Sequence, residues 1–379
     1  MIKQTDNIPR YFEPYVNDCF HNAYSAVLLH MGMNPNIILA DYLSFMYDCK
    51  NGYVGVNYFY RPNTTVEFTE EELNTSLEFV YLPPTTLYNQ ATVKNIDMRH
   101  KDRVNINMYI EDRPDVAYQR LKELLNSGIP VVAVVDLFYM NYHRAYQKEH
   151  GLHCVIFTGY NEEEGYYQIF DKYKLSSSDF DGNLPIDEVN LGRMSDNPLP
   201  GVNATQKRPI RNLWMEISSD NEFKVTEDKL LNIVNESCQR MKGQKEILGH
   251  KCGLDAIELF SKNLLEKKSE RLDDEKVYWY RVYLNGSLKN ISRSRKRFSV
   301  FMKEISSLLP EQLITSLCVS LEESSKHWDI CSSIALKLGI RKSLDMIDDL
   351  VNQLDIIREL ENSIVERLEG YLQDKGLHK

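Results

Sequence analysis

The pattern of polar and apolar residues in this sequence changes near residue 220. Up to about 220, short β-rich runs alternate with turn residues, whereas the remainder carries amphipathic helix patterns with hardly a strand signal. The helix patterns lie near 226–242, 253–268, 273–306, 311–337 and 341–375. Because 379 residues exceed the usual size of one core, we predict an α+β protein with two domains, a mixed domain over 1–220 and a helical bundle over 221–379.

The first domain opens with a helix that carries a cysteine. In the segment NDCFHNAYSAVLLHMG, either Asn17 or Asp18 can act as the N-cap, and Gly32 with Pro35 supplies the stop. This placement puts Cys19 in the first turn of the helix.

Further along, a helix over 115–126 leads into the β-branched run 129–140, which is typical of a buried strand ending at Asp136. Two strand patterns, 153–161 and 165–173, are separated by three glutamates and predict a hairpin. His153 lies on one arm of this hairpin and Asp171 on the other. The polar stretch 176–210 is predicted to be a loop, either a lid or a simple excursion, and 212–218 is predicted to be one more strand.

Composition excludes several classes of function. A formal net charge of −10 argues against non-specific nucleic-acid binding, which needs a basic surface. The N-terminal residues lack the apolar stretch of a secretory signal, and the most apolar run is too short to cross a bilayer. We therefore expect a cytoplasmic protein with no membrane segment and no nucleic-acid partner.

The seven cysteines are scattered and contain no CxxC pair. This spacing argues against a disulfide framework and against a zinc site. Most of the thiols are expected to be small buried hydrophobic groups. A reactive cysteine would differ from these buried thiols in its environment.

Three residues form a candidate nucleophilic site. A thiol reacts as thiolate, and a helix N-terminus together with a nearby imidazole lowers its pKa, so Cys19 and His153 suit one another. A carboxylate such as Asp171 can hold the imidazole in one tautomer.

Each of the three residues also has a structural explanation. Cys19 fits a core thiol, His153 a half-buried strand histidine bonded to a backbone carbonyl, and Asp171 a turn cap. His150 is the competing histidine, and we prefer His153 because it begins the apolar strand.

The order of Cys-bearing helix, buried strand and His- and Asp-bearing hairpin resembles the papain-like cysteine peptidase fold. The segments NDCFHNAYSAVLLHMGM, GIPVVAVVDLFYM, HGLHCVIFTGYN and YQIFDKY are similar to the N-terminal domain of the butirosin biosynthesis protein H family. LGHKCGLDAIELFSKNL and SLEESSKHWDICSSIALKL resemble the C-terminal region of the same proteins. The amide-forming cysteine-protease homologue of closthioamide biosynthesis looks like a further relative.

The resemblance implies acyl transfer. In that family a cysteine takes an aminoacyl group from the phosphopantetheine thioester of a carrier protein and passes it to an amine, which forms an amide. By the same resemblance Cys19 is the nucleophile, His153 the base and Asp171 the residue that orients it. A carrier protein and a small-molecule amine are the expected partners, and no cofactor or metal is expected beyond the phosphopantetheinyl donor.

One position departs from the papain pattern. Papain-like peptidases place a Gln six residues before the Cys as an oxyanion-hole donor, and this chain has Glu13 there. An ionised Glu has no hydrogen to donate, so the second donor is open; the backbone N–H of Cys19 and the Asn17 amide are candidates. Attack on an amide demands more oxyanion stabilisation than attack on a thioester, so this substitution favours transfer over peptidase activity.

Two further features are candidates for substrate or partner binding. Asp136, at the end of a strand, could hold a cationic amine acceptor, or it could be a solvated turn residue. The basic run 292–297 could receive an acidic carrier protein or a phosphate, or it could be a solvated helix face.

The leading hypothesis is an amide-forming acyltransferase of specialised-metabolite biosynthesis. A cysteine hydrolase, peptidase or amidase, would use the same three residues and differ in admitting water to the acyl-enzyme. The third hypothesis is a non-catalytic scaffold that binds a carrier protein.

Overall fold

The protein is described by a computed structural model. The described residues are 2–5, 8–9, 16, 18–56, 58–60, 79–81, 87–90, 94–171, 180–198, 209–247 and 249–376. The chain divides into two compact units. The first comprises Met1–Leu39, Asn63–Glu78 and Tyr88–Phe223, and the second comprises Ala40–Pro62, Phe79–Leu87 and Lys224–Lys379.

The division after Phe223 lies close to the boundary predicted near 220. Two segments inside the predicted first domain, Ala40–Pro62 and Phe79–Leu87, cluster with the second unit instead. Their strands pair with one another and with a strand far along the chain, and such non-local pairing leaves little local trace in the sequence.

The first unit is built on a sheet of eight described strands in the order β11-β10-β9-β8-β12-β7-β6, with β1 paired to β9 beside this path. The strands are β1 (Ile2–Gln4), β6 (Tyr88–Gln90), β7 (Val104–Tyr109), β8 (Val131–Asp136), β9 (Leu152–Asn161), β10 (Tyr166–Asp171), β11 (Phe180–Pro185) and β12 (Trp214–Ser219). All pairs are antiparallel except β6 with β7.

The predicted hairpin is confirmed as β9 and β10, which pair antiparallel from Tyr166 opposite Asn161. Gly165 adopts φ +72° in the connecting turn, a conformation that glycine takes without steric cost. Gly159 is required for a different reason, because a Cβ there would lie 2.5 Å from the carbonyl oxygen of Lys3 on β1.

Four helices belong to this unit: α1 (Cys19–His30), α2 (Pro35–Ile38), α3 (Pro114–Asn126) and α4 (Ile186–Arg193). The predicted helices over Cys19 and over 115–126 are confirmed as α1 and α3. The core lies between α3, α4 and one face of the central strands, with Leu125, Val135, Phe157, Ile169 and Val189 among its members.

The prediction of a loop over 176–210 is wrong for residues 180–193, which form β11 and α4. β11 pairs with β10 along its whole length, and Leu184 and Val189 are buried in the core. The strand reads FDGNLP, where Gly and Asp obscure the period-2 pattern. This ordered segment is therefore not a lid; residues 172–179 and 199–208 lie outside the described residues.

The second unit contains a sheet of five described strands, ordered β13-β2-β3-β4-β5. They are β2 (Met46–Asp48), β3 (Tyr53–Gly55), β4 (Tyr58–Tyr60), β5 (Phe79–Tyr81) and β13 (Lys251–Cys252). Within the helical bundle predicted for 221–379 the sheet places one short strand, β13, and the other four strands come from the 46–81 part of the chain. Strands of two or three residues are too short for a periodicity argument to detect.

The helices of this unit agree with the predicted pattern: α5 (Glu227–Met241), α6 (Gly253–Glu266), α7 (Asp274–Tyr278), α8 (Asn285–Glu304), α9 (Glu311–Arg341) and α10 (Ile347–Asp374). The predicted helix over 273–306 is one helical run in which Trp279–Leu284 is a π-helix. No helix in the described part of the chain is long and apolar enough to cross a membrane.

The basic run 292–297 is mostly internal, which argues against both alternatives considered for it, a docking surface and a solvated helix face. Arg295 is fully buried and forms a bidentate ion pair with the fully buried Glu361. Arg297 pairs with Asp41, and Lys296 lies 3.1 Å from Asp329. These charges serve to hold the helices and the 40–45 segment of the unit together.

Candidate active site

Cys19 is the first residue of α1. Asp18 is the N-cap, and its carboxylate accepts a hydrogen bond from the backbone N–H of His21 at 2.9 Å. The predicted capping by Asp18 is thus confirmed, while Asn17 lies outside the described residues. Cys19 is half-buried and lies at the N-terminus of the helix, where the positive end of the helix dipole attracts negative charge.

His153 and Asp171 meet across the β9–β10 hairpin. The Nε2 atom of His153 lies 2.9 Å from Oδ1 and 3.0 Å from Oδ2 of Asp171. Both side chains are largely buried, with exposed fractions of 12% and 6%. This contact uses one ring nitrogen, and Cys19 is near enough to the imidazole to influence the pKa of His153. The structure therefore pairs His153 with Asp171 and places Cys19 near them.

The electrostatics of His153 follow from these contacts. Burial lowers its pKa, but the negative charge of Asp171, the hydrogen bonds to Asp171 and Cys19, and the charge of Cys19 together raise the pKa well above the ordinary value. An imidazolium beside Cys19 is thus favoured. Such a cation stabilises a thiolate, so the geometry suits a nucleophilic cysteine.

Tyr142 completes the hydrogen bonding of Asp171, and sequence reasoning missed it. Its hydroxyl donates to Oδ2 of Asp171, and its ring stacks on Phe180 at 4.4 Å between centroids. Burial and the nearby carboxylate raise the pKa of this phenol well above 10, so it remains a donor. Tyr142 therefore helps to hold the carboxylate in the orientation that faces His153.

His143 is a second imidazole of the site that the sequence reasoning missed. Its ring centroid lies 6.4 Å from that of His153. Burial lowers the pKa of His143, and the neighbouring His153 lowers it further, to about 4. The tyrosine- and histidine-rich segment 138–150 was the available signal, but a loop without periodicity does not indicate which side chains converge.

Cys154 directly follows His153 in the sequence, and its environment differs from that of Cys19. Its side chain is buried, and burial raises the pKa of the thiol well above the ordinary value, with the charges of Cys19 and Asp18 adding to the effect. A thiol that stays protonated is a poor nucleophile. All seven cysteines are free thiols.

Asp136, predicted to hold a cationic amine, has a different environment. It is 0% exposed, and the strand register pairs it with Leu152 while Val135 pairs with His153, so Asp136 and His153 point to opposite faces of the sheet. Its oxygens accept from the backbone N–H groups of Phe138 and Gly151 at 3.1 and 2.9 Å.

The remaining contacts of Asp136 are also internal. The Ser195 hydroxyl donates to Oδ2 at 2.5 Å, and His150 Nδ1 lies 2.6 Å from the same oxygen. This geometry argues against the predicted contact with an amine, and we interpret Asp136 as the residue that closes the 137–151 loop. It also explains why His150, stacked on Phe138 at 4.3 Å, is not the histidine of the site.

Glu13, the position that departs from the papain pattern, lies outside the described residues, as does the candidate donor Asn17. Among the residues that the structure describes, no group of three His, Cys, Asp or Glu side chains could hold a metal ion.

Residues 48–172 match a family model described as butirosin biosynthesis protein H, N-terminal. The predicted resemblance to this family is confirmed over that segment. The matching segment contains His153 and Asp171, but it begins after Cys19. The resemblance predicted for the Cys19 helix and for the helical region lies outside the match and stays a prediction. No protein with a curated description matches the chain.

Proposed function

We propose that this protein is an amide-forming acyltransferase of antibiotic biosynthesis that works through a Cys19 acyl-enzyme. The proposal rests on the contact of His153 Nε2 with Asp171 at 2.9 Å, together with Cys19 at a helix N-terminus, where it acts on the same imidazole. A thiol at a helix N-terminus, an imidazole raised in pKa beside it and a carboxylate behind the imidazole are the parts that nucleophilic catalysis by cysteine requires.

The topology supports a papain-like arrangement. The cysteine begins α1, the histidine lies at the start of β9, and the aspartate lies at the end of the neighbouring β10. The order along the chain and the antiparallel sheet are those of the papain-like fold that the sequence resembles. The segment similar to butirosin biosynthesis protein H supports a role in antibiotic biosynthesis.

In the proposed mechanism, the Cys19 thiolate attacks the carbonyl carbon of a donor thioester. The C–S bond of the donor breaks, and the departing thiolate takes the proton from His153. Neutral His153 then accepts a proton from the incoming amine as its nitrogen bonds to the acyl carbon, and Cys19 leaves again as thiolate. The amide is released and the thiolate–imidazolium pair is restored.

Thioester exchange suits the site because it is nearly isoenergetic. The enzyme then needs chiefly to activate Cys19 and to position the two substrates. We propose that the donor is the phosphopantetheinyl thioester of a carrier protein and that the acceptor is a small-molecule amine. The basic run 292–297 is a poor candidate for the carrier-binding surface because Arg295, Lys296 and Arg297 each pair with a carboxylate of the same unit.

The experiment that tests the proposal measures how the acyl-enzyme partitions. The protein is loaded from an acyl carrier protein or an acyl N-acetylcysteamine thioester, and candidate amines are added while amide, free acid and intact protein mass are followed. The proposal expects the acyl group to leave as an amide faster than as free acid. If only free acid forms with every amine, the protein is a hydrolase that uses the same residues; if no donor acylates it, a carrier-binding scaffold is the better explanation.

A further inference from the structure

The inference concerns His143 and rests on the proposed function. His143 lies in the 137–151 loop, which Asp136 closes by accepting the N–H groups of Phe138 and Gly151. The loop is thus anchored at both ends by a fully buried carboxylate. A side chain on it is held in a defined place relative to β9, on which His153 lies.

The tautomer of His143 follows from one hydrogen bond. Its Nδ1 atom accepts the backbone N–H of the buried Ala145 at 3.1 Å. A neutral imidazole has one donor and one acceptor nitrogen, so this bond places the proton on Nε2. His143 is therefore a donor through Nε2 whenever it is neutral.

The neighbouring groups keep His143 neutral. Its centroid is 6.4 Å from that of His153, and two imidazolium ions at this separation repel one another. His153 is the one that holds the proton, because Asp171 contacts it at 2.9 Å. Burial and His153 together lower the pKa of His143 to about 4, so its N–H is present throughout the neutral range.

The reaction needs a donor of this kind. When Cys19 attacks a thioester, the electron pair of the C=O bond moves to the oxygen, and it returns when the donor C–S bond breaks. Positioned N–H groups stabilise the negative charge in between. The position that carries Gln in papain-like peptidases is Glu13 here, which when ionised cannot donate.

We propose that the Nε2–H of His143 donates a hydrogen bond to the acyl oxygen during transfer to and from Cys19. The ring of His143 is half-buried, and its centroid lies 6.4 Å from that of His153, so a group bound beside His153 also lies near His143. His143 thus supplies an electrophilic contact to the acyl oxygen, while His153 moves the protons.

Two reactions of Cys19 separate this role from a structural one. Acylation by an N-acetylcysteamine thioester develops charge on an oxygen, whereas alkylation by iodoacetamide displaces iodide at a tetrahedral carbon and develops none on a carbonyl. Loss of an oxyanion donor slows acylation alone, whereas damage to the Cys19–His153 pair slows both acylation and alkylation.

The test compares His143→Ala, His143→Gln and, as a control, His100→Gln, which changes an exposed histidine of the same unit. Single-turnover acylation should be slower by about 10²-fold in His143→Ala. His143→Gln, which retains an N–H donor, should recover part of that loss. Alkylation should match wild type in all three variants, and His100→Gln should acylate normally.

Equal acylation of wild type and His143→Ala, or parallel loss of acylation and alkylation, would overturn the role of His143 while leaving the acyl-enzyme proposal intact. A wild-type protein that no thioester acylates would overturn both proposals.

Discussion

The imidazole of His153 faces Asp171 through Nε2 at 2.9 Å, so Nδ1 is the ring nitrogen left for the thiol of Cys19. Asp171 therefore decides both the tautomer of the ring and its charge.

The first prediction concerns the charge of Asp171. In Asp171→Asn the amide oxygen can still accept from Nε2–H, but the negative charge that raises the pKa of His153 is lost. NMR titration of the His153 ring should show a pKa above the ordinary value of about 6.5 in wild type and a lower pKa in the variant. Acyl transfer should fall by about 10²-fold or more. An unchanged titration would contradict the assigned contact.

The second prediction is that the raised pKa of His153 makes the free energy of unfolding depend on pH. The pKa of His153 is higher in the folded protein than its unfolded value of about 6.5, so the native state binds a proton more tightly. That stabilisation is fully present below the unfolded pKa and is lost as pH rises through the folded pKa. Urea unfolding should therefore give a larger stability gap between wild type and Asp171→Asn at about pH 6 than at about pH 9. If the difference in unfolding free energy between wild type and Asp171→Asn grows with pH, His153 is not the proton-binding group.

The third prediction separates the ring of Tyr142 from its hydroxyl. Tyr142→Phe keeps the stacking on Phe180 and removes the hydrogen bond to Asp171. A lost bond to a charged group is worth about 1.5–3 kcal/mol, but His153 still holds the carboxylate in place. Acyl transfer should therefore fall less than in Asp171→Asn, by about 3- to 30-fold. Steady-state kinetics of both variants in parallel check the order; a larger loss in Tyr142→Phe would make Tyr142 more than a positioning residue.

The fourth prediction concerns the stability of the second unit. Arg295 and Glu361 are both fully buried, and Glu361 also accepts from Ser324 and Trp328. Arg295→Met leaves a buried carboxylate without its cation, which should cost about 3–5 kcal/mol in the free energy of unfolding. The control is Lys303→Met in the exposed pair with Glu322, where the loss should stay below about 1 kcal/mol. Chemical denaturation of both variants checks the difference, and equal losses would contradict the importance of burial.

Much of the site was predictable because its signals are local. The N-cap before Cys19 and the alternating pattern of the β9–β10 hairpin specify which residues begin the helix and which face one another. Tyr142 and His143 were not predictable in this way. They converge on Asp171 and His153 because Asp136 closes their loop from the opposite face of the sheet, and such a tertiary contact leaves no periodicity in the sequence.

The fold was predictable to a similar extent. Long amphipathic helices such as Glu311–Arg341 can be predicted from the sequence, because apolar residues recur on one face over many turns. The strands at 46–60 and Phe180–Pro185 were missed. They are short or contain Gly and Asp, so period-2 alternation is weak in them, and one of them, β2, pairs with β13 about 200 residues further along the chain.

Acylation of Cys19 can be measured by intact-protein mass spectrometry after exposure to an acyl thioester, followed by peptide mapping. Wild type, Cys19→Ala and Cys49→Ala are compared, because Cys49 is an exposed thiol of the second unit. We expect one acyl group on Cys19 in wild type and in Cys49→Ala, with none on the buried Cys154 and none on Cys19→Ala. An adduct that persists in Cys19→Ala, or that maps to another cysteine in wild type, would contradict this expectation.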